Sequence, residues 1–464
     1  MSCDFLVIGA GPAGMAAAAT AARLGLSTLL VDEQPAPGGQ IYRAVESRSE
    51  TAAGVSQVDW ESGVALAKEF RAAGAAYQPG TQVWQMEKEQ EKKRKVYVTD
   101  GVKASCIEAR RVLIAAGAME RPVPIPGWTL PGVMTVGAAQ ILYKTSHWMP
   151  PGGAWIAGSG PLLWLYAAQV LEAGGKITGI LDTTPAANYL HALRHGVGAL
   201  RNLSYVHRGR ALQQRVRAAG VPVIKNVTAL KAQGTNGNSQ LASVRYCVND
   251  QWREKPASML LLHHGVVPNV QATLSLDAAH RWDDVQRCFA PVVDLWGDTS
   301  VEGYAAAGDC AGIVGAEASA VQGRLAALEA ARALGSIDEA QRNMRAAPLR
   351  QQLTRHLPIR PFLDQLFAPR ENLLLPHDDV LVCRCESITA RQIRDTVALG
   401  CRGPNQMKAF TRCGMGPCQG RMCGLAAAEI IAHARGVSAG DVGVFNVRPP
   451  LKPISIGELA ALAD

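Results

Sequence analysis

Short apolar runs alternate with small-residue helical stretches along most of the chain. Asp4–Ile8 is a continuous apolar run, Gly9-Ala10-Gly11-Pro12-Ala13-Gly14 is a turn of small residues, and Met15–Leu24 repeats small apolar residues at helical spacing. A second run, Ser27–Val31, stops at Asp32-Glu33. Apolar runs bounded by turn signals read as strands buried on both faces, and a helix between two of them reads as a parallel βαβ unit. The same succession returns further on: strand Ala154–Ala157, turn Gly158-Ser159-Gly160-Pro161-Leu162-Leu163, a helix through Leu171, then strand Lys176–Leu181 ending at Asp182. From about Gly335 to His377 the pattern gives way to a polar, Pro-punctuated connector with helical pieces such as Glu339–Met344. Beyond it a strand (Val380–Val382), a thiol-rich turn and two helices (Thr389–Leu399 and Leu425–Ala434) are predicted. The stretch Asn446–Ile454, with Arg448-Pro449-Pro450 and Pro453, reads as an extended strip.

The first βαβ unit carries a dinucleotide fingerprint in the context that gives it meaning, directly after a strand and opening a helix. Gly9 allows the tight turn, Gly11 lets backbone amides approach a pyrophosphate, and Gly14 lets helix and strand pack closely. The helix N-terminus then faces the phosphates. Asp32, eighteen residues after Gly14, is placed to accept hydrogen bonds from a ribose. In the second unit Leu163 replaces the third glycine, so Gly158, Gly160 and Asp182 mark a weaker nucleotide site, and its occupancy is left open.

Composition narrows the class. With 464 residues, 48% hydrophobic and 19% charged, the chain is long enough for two or three domains with large cores. The net charge of +8 is modest for this length and no basic run with interleaved aromatics appears, which argues against nucleic-acid binding. The mixed-charge cluster Lys88–Lys95 is expected at a solvated hairpin tip. The uncharged stretch Thr145–Leu171 has the length of a membrane span, but Pro150, Pro151, Pro161 and its glycines parse it as strand, turn and helix. With an odd number of cysteines and a Gly-rich strand–turn–helix where a signal peptide would stand, a reducing, cytoplasmic location is expected, with any membrane contact made through partners.

Six of the eleven cysteines fall within the forty-one residues from 383 to 423, and five of them, Cys383, Cys385, Cys413, Cys418 and Cys423, are the candidate ligands. Thiolates are soft donors, and four at paired spacings suit an iron–sulfur cluster or a structural zinc. The one-residue gap of Cys383/Cys385 is atypical of zinc hooks and suits a cluster. No Ser nucleophile motif, carboxylate pair or His–acid pair announces acid–base chemistry. His263-His264 is not read as a metal site, because adjacent strand residues point to opposite faces.

Further strings carry a resemblance. They are Pro37-Gly38-Gly39-Gln40-Ile41, Val112-Leu113-Ile114-Ala115-Ala116-Gly117-Ala118, Arg121-Pro122, Ile125-Pro126-Gly127, Gly265-Val266-Val267-Pro268-Asn269 and Tyr304-Ala305-Ala306-Ala307-Gly308-Asp309. Over residues 1–335 the chain resembles the two-dinucleotide-domain flavoproteins related to thioredoxin reductase. The resemblance puts Asp309, with Gly308, at a flavin ribitol and Gly39, Gln40 and Gly117 along the isoalloxazine and pyrophosphate. It departs from those reductases in lacking any Cys-x-x-Cys; Cys310 is read as a small buried residue. The cysteine segment resembles bacterioferritin-associated ferredoxins. Aligning the helix after Cys423 implies Cys383, Cys385, Cys418 and Cys423 as ligands of a [2Fe-2S] cluster, with Cys413 as an alternative or an outer thiol.

Taken whole, the chain is similar to the large FAD/[2Fe-2S] subunits of bacterial heteromeric amine dehydrogenases, a likeness that includes the Gly-Met-Gly-Pro-Cys-Gln-Gly string. That resemblance implies an electron-transfer role, a catalytic partner that is itself an FAD protein of amino-acid-oxidase type, and a small third subunit. The expected architecture is α/β: two Rossmann-like dinucleotide-binding domains, for FAD (1–117 with 290–335) and for an NAD(P)-like nucleotide (118–289). A connector (336–376), a small α-helical [2Fe-2S] domain (377–435) and an extended tail (436–464) complete it. The rival readings are a self-sufficient NAD(P)H reductase and a structural subunit without catalytic function.

Overall fold

The computed structural model describes residues 1–47, 57–88, 93–235 and 240–462. Its first domain is built on a seven-stranded sheet. Strands Ala76–Gln78, Thr28–Val31, Ser2–Ile8 and Ala104–Ile114 run parallel in that order. The long strand Ala104–Ile114 serves two further neighbours: its first half pairs antiparallel with Arg94–Thr99, and its end pairs parallel with the returning strand Tyr304–Ala306. The first helix, Pro12–Arg23, is almost all alanine on its buried faces, which lets Ala316–Ala333 cross it closely; a Cβ on Gly323 would lie 2.0 Å from the Ala13 carbonyl oxygen. Four residues of the expected hairpin tip, 89–92, lie outside the described residues.

The middle domain holds a five-stranded parallel sheet: Val223–Ile224, Ile177–Asp182, Ala154–Ser159, Leu260–His264 and Val133–Thr135. An antiparallel three-stranded sheet, Ala229–Gly234, Leu241–Val248 and Gln251–Pro256, packs beside it. The chain enters and leaves through the antiparallel pair Ala118–Glu120 and Val266–Pro268. It is therefore back on the first core by Leu276, ahead of the boundary expected at 289. Trp282 packs on the C-terminal core.

The connector is helical, as its expected helical pieces imply, and over a longer stretch than Glu339–Met344. It folds as helices Glu339–His356, Arg360–Leu366 and Glu371–Leu374. Asp338 and Gln341 form a reciprocal cap, and Arg342 pairs with buried Glu329 at 2.6 Å. Paired charges replace apolar residues on the inward face, so hydrophobic periodicity understates the helix. The C-terminal domain has the strand pair Leu381–Cys383 and Ile388–Thr389 and the helices Ala390–Ala398, Pro404–Thr411 and Gly424–Arg435. The tail is extended through Lys452 but is interrupted by two short Ser-capped helices, Ala439–Val442 and Ile456–Ala460.

Candidate functional site

A cleft of about 430 Å³ runs along the C-terminal ends of the first sheet's strands. Gly9, Gly11, Pro12 and Ala13 line it from the fingerprint turn, Asp32 and Glu33 from the second strand, and Gly39 and Gln40 from the next loop. Gly117, Gly308 and Asp309 face it from the far side. Ala10 and Gly14 stand in the wall behind, where a Cβ on Gly14 would fall 1.8 Å from the Gly9 carbonyl oxygen. The elongated cradle, with its open helix N-terminus, fits a dinucleotide.

Two carboxylates organise the cleft. Asp32 accepts from the Ala10 amide (2.5 Å) and the Gln34 amide (2.7 Å), one on each oxygen, and burial holds its pKa above the usual carboxylate range. Each oxygen keeps a second lone pair for a ribose hydroxyl. Asp309 accepts from the amides of Val314 (2.8 Å) and Gly315 (2.9 Å) through one oxygen, which leaves the other to the cleft it lines.

Other parts of the chain complete the cleft with cations. Lys144, on the middle domain's helix Val136–Ser146, reaches across to the carbonyls of Gln40 (3.2 Å) and Ile41 (2.9 Å). Lys452, from the tail, pairs with Glu33. Arg421, from the thiol loop, donates to the carbonyls of Cys418 (3.2 Å) and Leu451 (2.9 Å) and also lines the cleft. Local sequence pattern gives no signal for these three, since each belongs to a different domain from the fingerprint.

The thiol loop is wound around the ring of Phe445: a Cβ on Gly414 or Gly420 would lie 2.6 or 2.7 Å from that ring. The sulfurs of Cys383, Cys413 and Cys423 all lie within 4.8 Å of one another and are buried. Cys413, expected as an outer thiol, thus stands inside the buried group. The thiols of Cys413 and Cys423 hydrogen-bond to Cys383, holding its pKa down to about 2 and raising their own. Cys385 is an exposed residue that contacts Cys418, and partial desolvation of its sulfur is the main cause that pushes its thiol up. A thiolate among neighbouring sulfurs is a soft donor set and fits an iron–sulfur cluster.

The loop is anchored against the flavin-type cleft by Gln271, which donates to the Gln419 carbonyl (3.1 Å). Arg287 donates through Nε to Glu429 (2.7 Å), and Trp128 donates to the Leu381 carbonyl (2.7 Å).

The second fingerprint is arranged differently. A Cβ on Gly158 would strike the His263 carbonyl oxygen at 1.6 Å, and one on Gly160 would lie 2.6 Å from His263 Nε2. These glycines therefore make room for a strand and an imidazole of their own domain. His263 Nδ1 bonds Glu120 at 2.6 Å, a buried His–acid pair that the sequence does not announce. Glu120 also accepts from the Gly137 amide at 2.7 Å. Asp182 is buried and accepts from the Thr184 amide at 2.9 Å. His264 Nε2 is buried without a partner, and burial brings its pKa down to about 3. Cys310 is fully buried, its sulfur bonded to the carbonyls of Ile114 (3.2 Å) and Ala307 (3.3 Å).

Two nucleotide-type α/β domains, a flavin-type cleft and an appended thiol domain define a dinucleotide-binding flavoprotein of the oxidoreductase class. The chain belongs to the pyridine nucleotide-disulphide oxidoreductase family, matched over residues 3–342, and to its branch of large subunits of heteromeric amine dehydrogenases, with residues 379–463 matching the sarcosine oxidase A3 domain. It is 42% identical over 464 residues to one of the opine oxidase subunits of Rhizobium meliloti, covering 99% of this chain and 87% of that one. It is 29% identical to the HcnB subunit of hydrogen cyanide synthase from Pseudomonas aeruginosa, covering 97% of this chain and 96% of the relative. The alpha subunit of sarcosine oxidase from Rhizobium meliloti is 27% identical, with 98% of this chain matching 42% of that longer one. Among solved structures, L-proline dehydrogenase from P. horikoshii shares the fold at a TM-score of 0.70 and 17% identity, covering 99% of this chain and 79% of that one. Thioredoxin reductase from T. acidophilum shares it at 0.51 and 19%, covering 72% of this chain and 99% of the reductase.

Proposed function

We propose that this chain is the electron-transfer subunit of a heteromeric dehydrogenase that oxidises the C–N bond of an amino acid, imino acid or opine. It holds FAD in the first domain and a [2Fe-2S] cluster in the last. The observation that carries this reading is the position of Arg421: it sits between Cys418 and Cys423 and lines the same cleft as Gly11 and Asp309, so thiol loop and dinucleotide cleft share a wall. A flavin exchanges one or two electrons and a cluster exchanges one at a time, which is the chemistry these groups supply when bound.

The chain's own residues bind and orient. The helix N-terminus at Gly11 receives the pyrophosphate, Asp32 the ribose and Asp309 the ribitol. Lys144 braces the Gln40 loop from the middle domain. Cys383, Cys385, Cys418 and Cys423 form the ligand set, and the buried position of Cys413 makes it the competitor for one place. Substrate oxidation falls to a partner, an FAD protein of amino-acid-oxidase type, with a small third subunit. In support, the relatives at 42% and 29% identity are themselves named as subunits.

Anaerobic purification tests the assignment. One FAD, two irons and two inorganic sulfides per chain are expected. The partner-free chain should not reduce dye in the presence of amino acids or opines, and turnover should appear when the flavoprotein partner is added. Vigorous amine-dependent dye reduction by the isolated chain would move the catalytic site here. Bleaching of the flavin by NADH would instead favour the reductase reading, in which the middle domain binds the donor.

A further inference from the structure

The helices Ala186–Leu193, Gly196–Arg201 and Leu203–Ala218 stand out from the middle domain and have two unlike faces. On the inner face Asn188, Ala192, Ala199 and Asn202 are buried. Asn188 donates to the carbonyls of Leu366 (3.2 Å) and Ala368 (3.0 Å), and a Cβ on Gly198 would fall 1.9 Å from the Pro358 carbonyl oxygen. The outer face is apolar and open. Leu190, Leu193, Val197 and Leu200 are 70%, 68%, 65% and 69% exposed, and Leu203 adds 48%. All five lie on the solvent side of three successive helices, which break at Arg194–His195 and again at Asn202. Contiguous exposed apolar surface marks an interaction site.

The charge of the same segment has one sign. Arg194 and Arg201 stand exposed between the leucines, next to His191 and His195. From residue 183 to residue 249 there is no aspartate or glutamate at all. Carboxylates reach the segment from outside, Glu172 at Arg215 and Glu317 at Tyr205.

We infer that this face docks on an anionic phospholipid surface. Centres of protein–protein interfaces are depleted of charge and rich in aromatic residues and methionine, and leucine is under-represented among their hot spots. Here exposed aliphatic side chains alternate with arginines, and the exposed aromatics are Tyr189 and Tyr205, amphipathic rings that membrane interfaces also favour. That is the arrangement of helices lying in the plane of a membrane, leucines in the acyl boundary and guanidinium groups at the lipid phosphates. Among the described residues no helix is long and apolar enough to cross a membrane, so the contact is a surface attachment. It stands independently of the cofactor assignment, since none of these residues lines the flavin-type cleft.

Vesicle co-sedimentation of the full-length, cofactor-loaded chain tests this. Partition onto vesicles containing phosphatidylglycerol should exceed that onto pure phosphatidylcholine by about tenfold or more. About 0.5 M salt should reverse most of that preference by screening the arginines. Leu193→Ser with Leu200→Ser should weaken binding about tenfold with flavin absorbance retained. Arg194→Ser with Arg201→Ser, a surface change that spares the apolar stripe, should remove the lipid-charge preference. Equal binding to both lipids, no sedimentation with either, or indifference to the leucine pair would each overturn the inference. So would a purified heteromeric complex in which the partner protein shields the stripe from hydrogen exchange and abolishes vesicle binding; a protein would then be the occupant.

Discussion

Gly11 and Gly14 lie in one turn, yet a methyl group added at each meets very different surroundings. At Gly14 it would sit 1.8 Å from the Gly9 carbonyl oxygen, an overlap that only a shift of the strand–turn–helix junction could relieve. At Gly11 the nearest atom is Gly39 Cα at 4.0 Å, and φ is −74°, a value any residue adopts. Gly11→Ala should therefore cost the fold only what alanine loses to glycine at a helix N-cap, about 1 kcal/mol or less. In a chain of this length that is a shift of about 1 °C or less in the melting temperature of the flavin-free protein. The methyl does occupy the space above the helix N-terminus. A pyrophosphate held there loses one or two charge-assisted hydrogen bonds worth about 1.5–3 kcal/mol each, so affinity should fall by at least about tenfold and by as much as about 10³-fold or more. Wild-type protein in flavin at about 100 times its dissociation constant gains about 2.7 kcal/mol of stability; the variant keeps about 1.4 kcal/mol of that after a tenfold loss of affinity and almost none after a loss of about 10³-fold. Flavin absorbance per chain after gel filtration, with melts run with and without added FAD, reads both effects. The expected pattern is a near-native flavin-free melt with an FAD-induced shift cut to about half or less for Gly11→Ala, and insoluble protein for Gly14→Ala. Full absorbance and a wild-type FAD shift in Gly11→Ala would refute the placement of the pyrophosphate.

The thiol assignments predict that Cys383→Ser, Cys385→Ser, Cys418→Ser and Cys423→Ser each lose iron and sulfide, whereas Cys413→Ser retains them; the reverse order for Cys413 and Cys423 would make Cys413 a ligand. Circular dichroism of Cys385→Ser, at an exposed residue, should stay native, so that loss of turnover reports interrupted transfer rather than unfolding. Arg421→Gln removes a cation beside Cys418 and should lower the cluster's midpoint potential by on the order of 59 mV, tenfold in the one-electron equilibrium, with flavin and iron content intact; an unchanged potential would separate Arg421 from the cluster. His264, held near 3 against an ordinary 6.5, takes up its proton only on unfolding between those values. Its contribution to stability is therefore complete above pH 6.5 and shrinks as pH falls towards 3. Urea midpoints of His264→Phe should be flatter than wild type from about pH 7 to about pH 4, and a parallel decline would assign the acid sensitivity elsewhere.

Local chemistry was legible where it is local. The turn Gly9–Gly14, the strands around it and the helix following Cys423 could be read because a glycine's steric role and a strand's apolar run are properties of adjacent residues. The extent of the connector's helices was not, because Glu329 and Arg342 satisfy one another across thirteen positions and leave no apolar stripe to read. The helices from 186 to 218 escaped notice for the opposite reason: their apolar stripe faces solvent, and few of their residues are buried. His263 and Glu120 meet across 143 residues, so sequence shows a histidine doublet and hides the pair. The cysteines lie between these cases. Spacing and the helix following Cys423 named a first and a second pair, but which sulfurs crowd together depends on how the loop wraps Phe445, and that brings Cys413 inside.

A disulfide oxidoreductase fold without its redox disulfide needs another outlet for flavin electrons, and the geometry indicates how the outlet moved. Cys310 is adjacent to Asp309, which lines the cleft, but its sulfur is engaged by two backbone carbonyls and burial raises its pKa to about 11, so no nucleophilic thiol exists at that point. The fingerprint turn, Asp309 and the Gln40 loop are unaffected, because they hold the dinucleotide and do not depend on the thiols. What changes is the far wall, where Arg421, Leu451 and Lys452 of the appended domain line the cleft. Sulfur chemistry is thereby brought next to the cleft from outside the two-domain body. Because the same loop carries Cys418 and Cys423, any change that moves the loop must alter the cleft as well. The two proposed cofactor sites are thus coupled through the fold of one loop, which carries Cys418 and Cys423 and places Arg421 on the cleft wall.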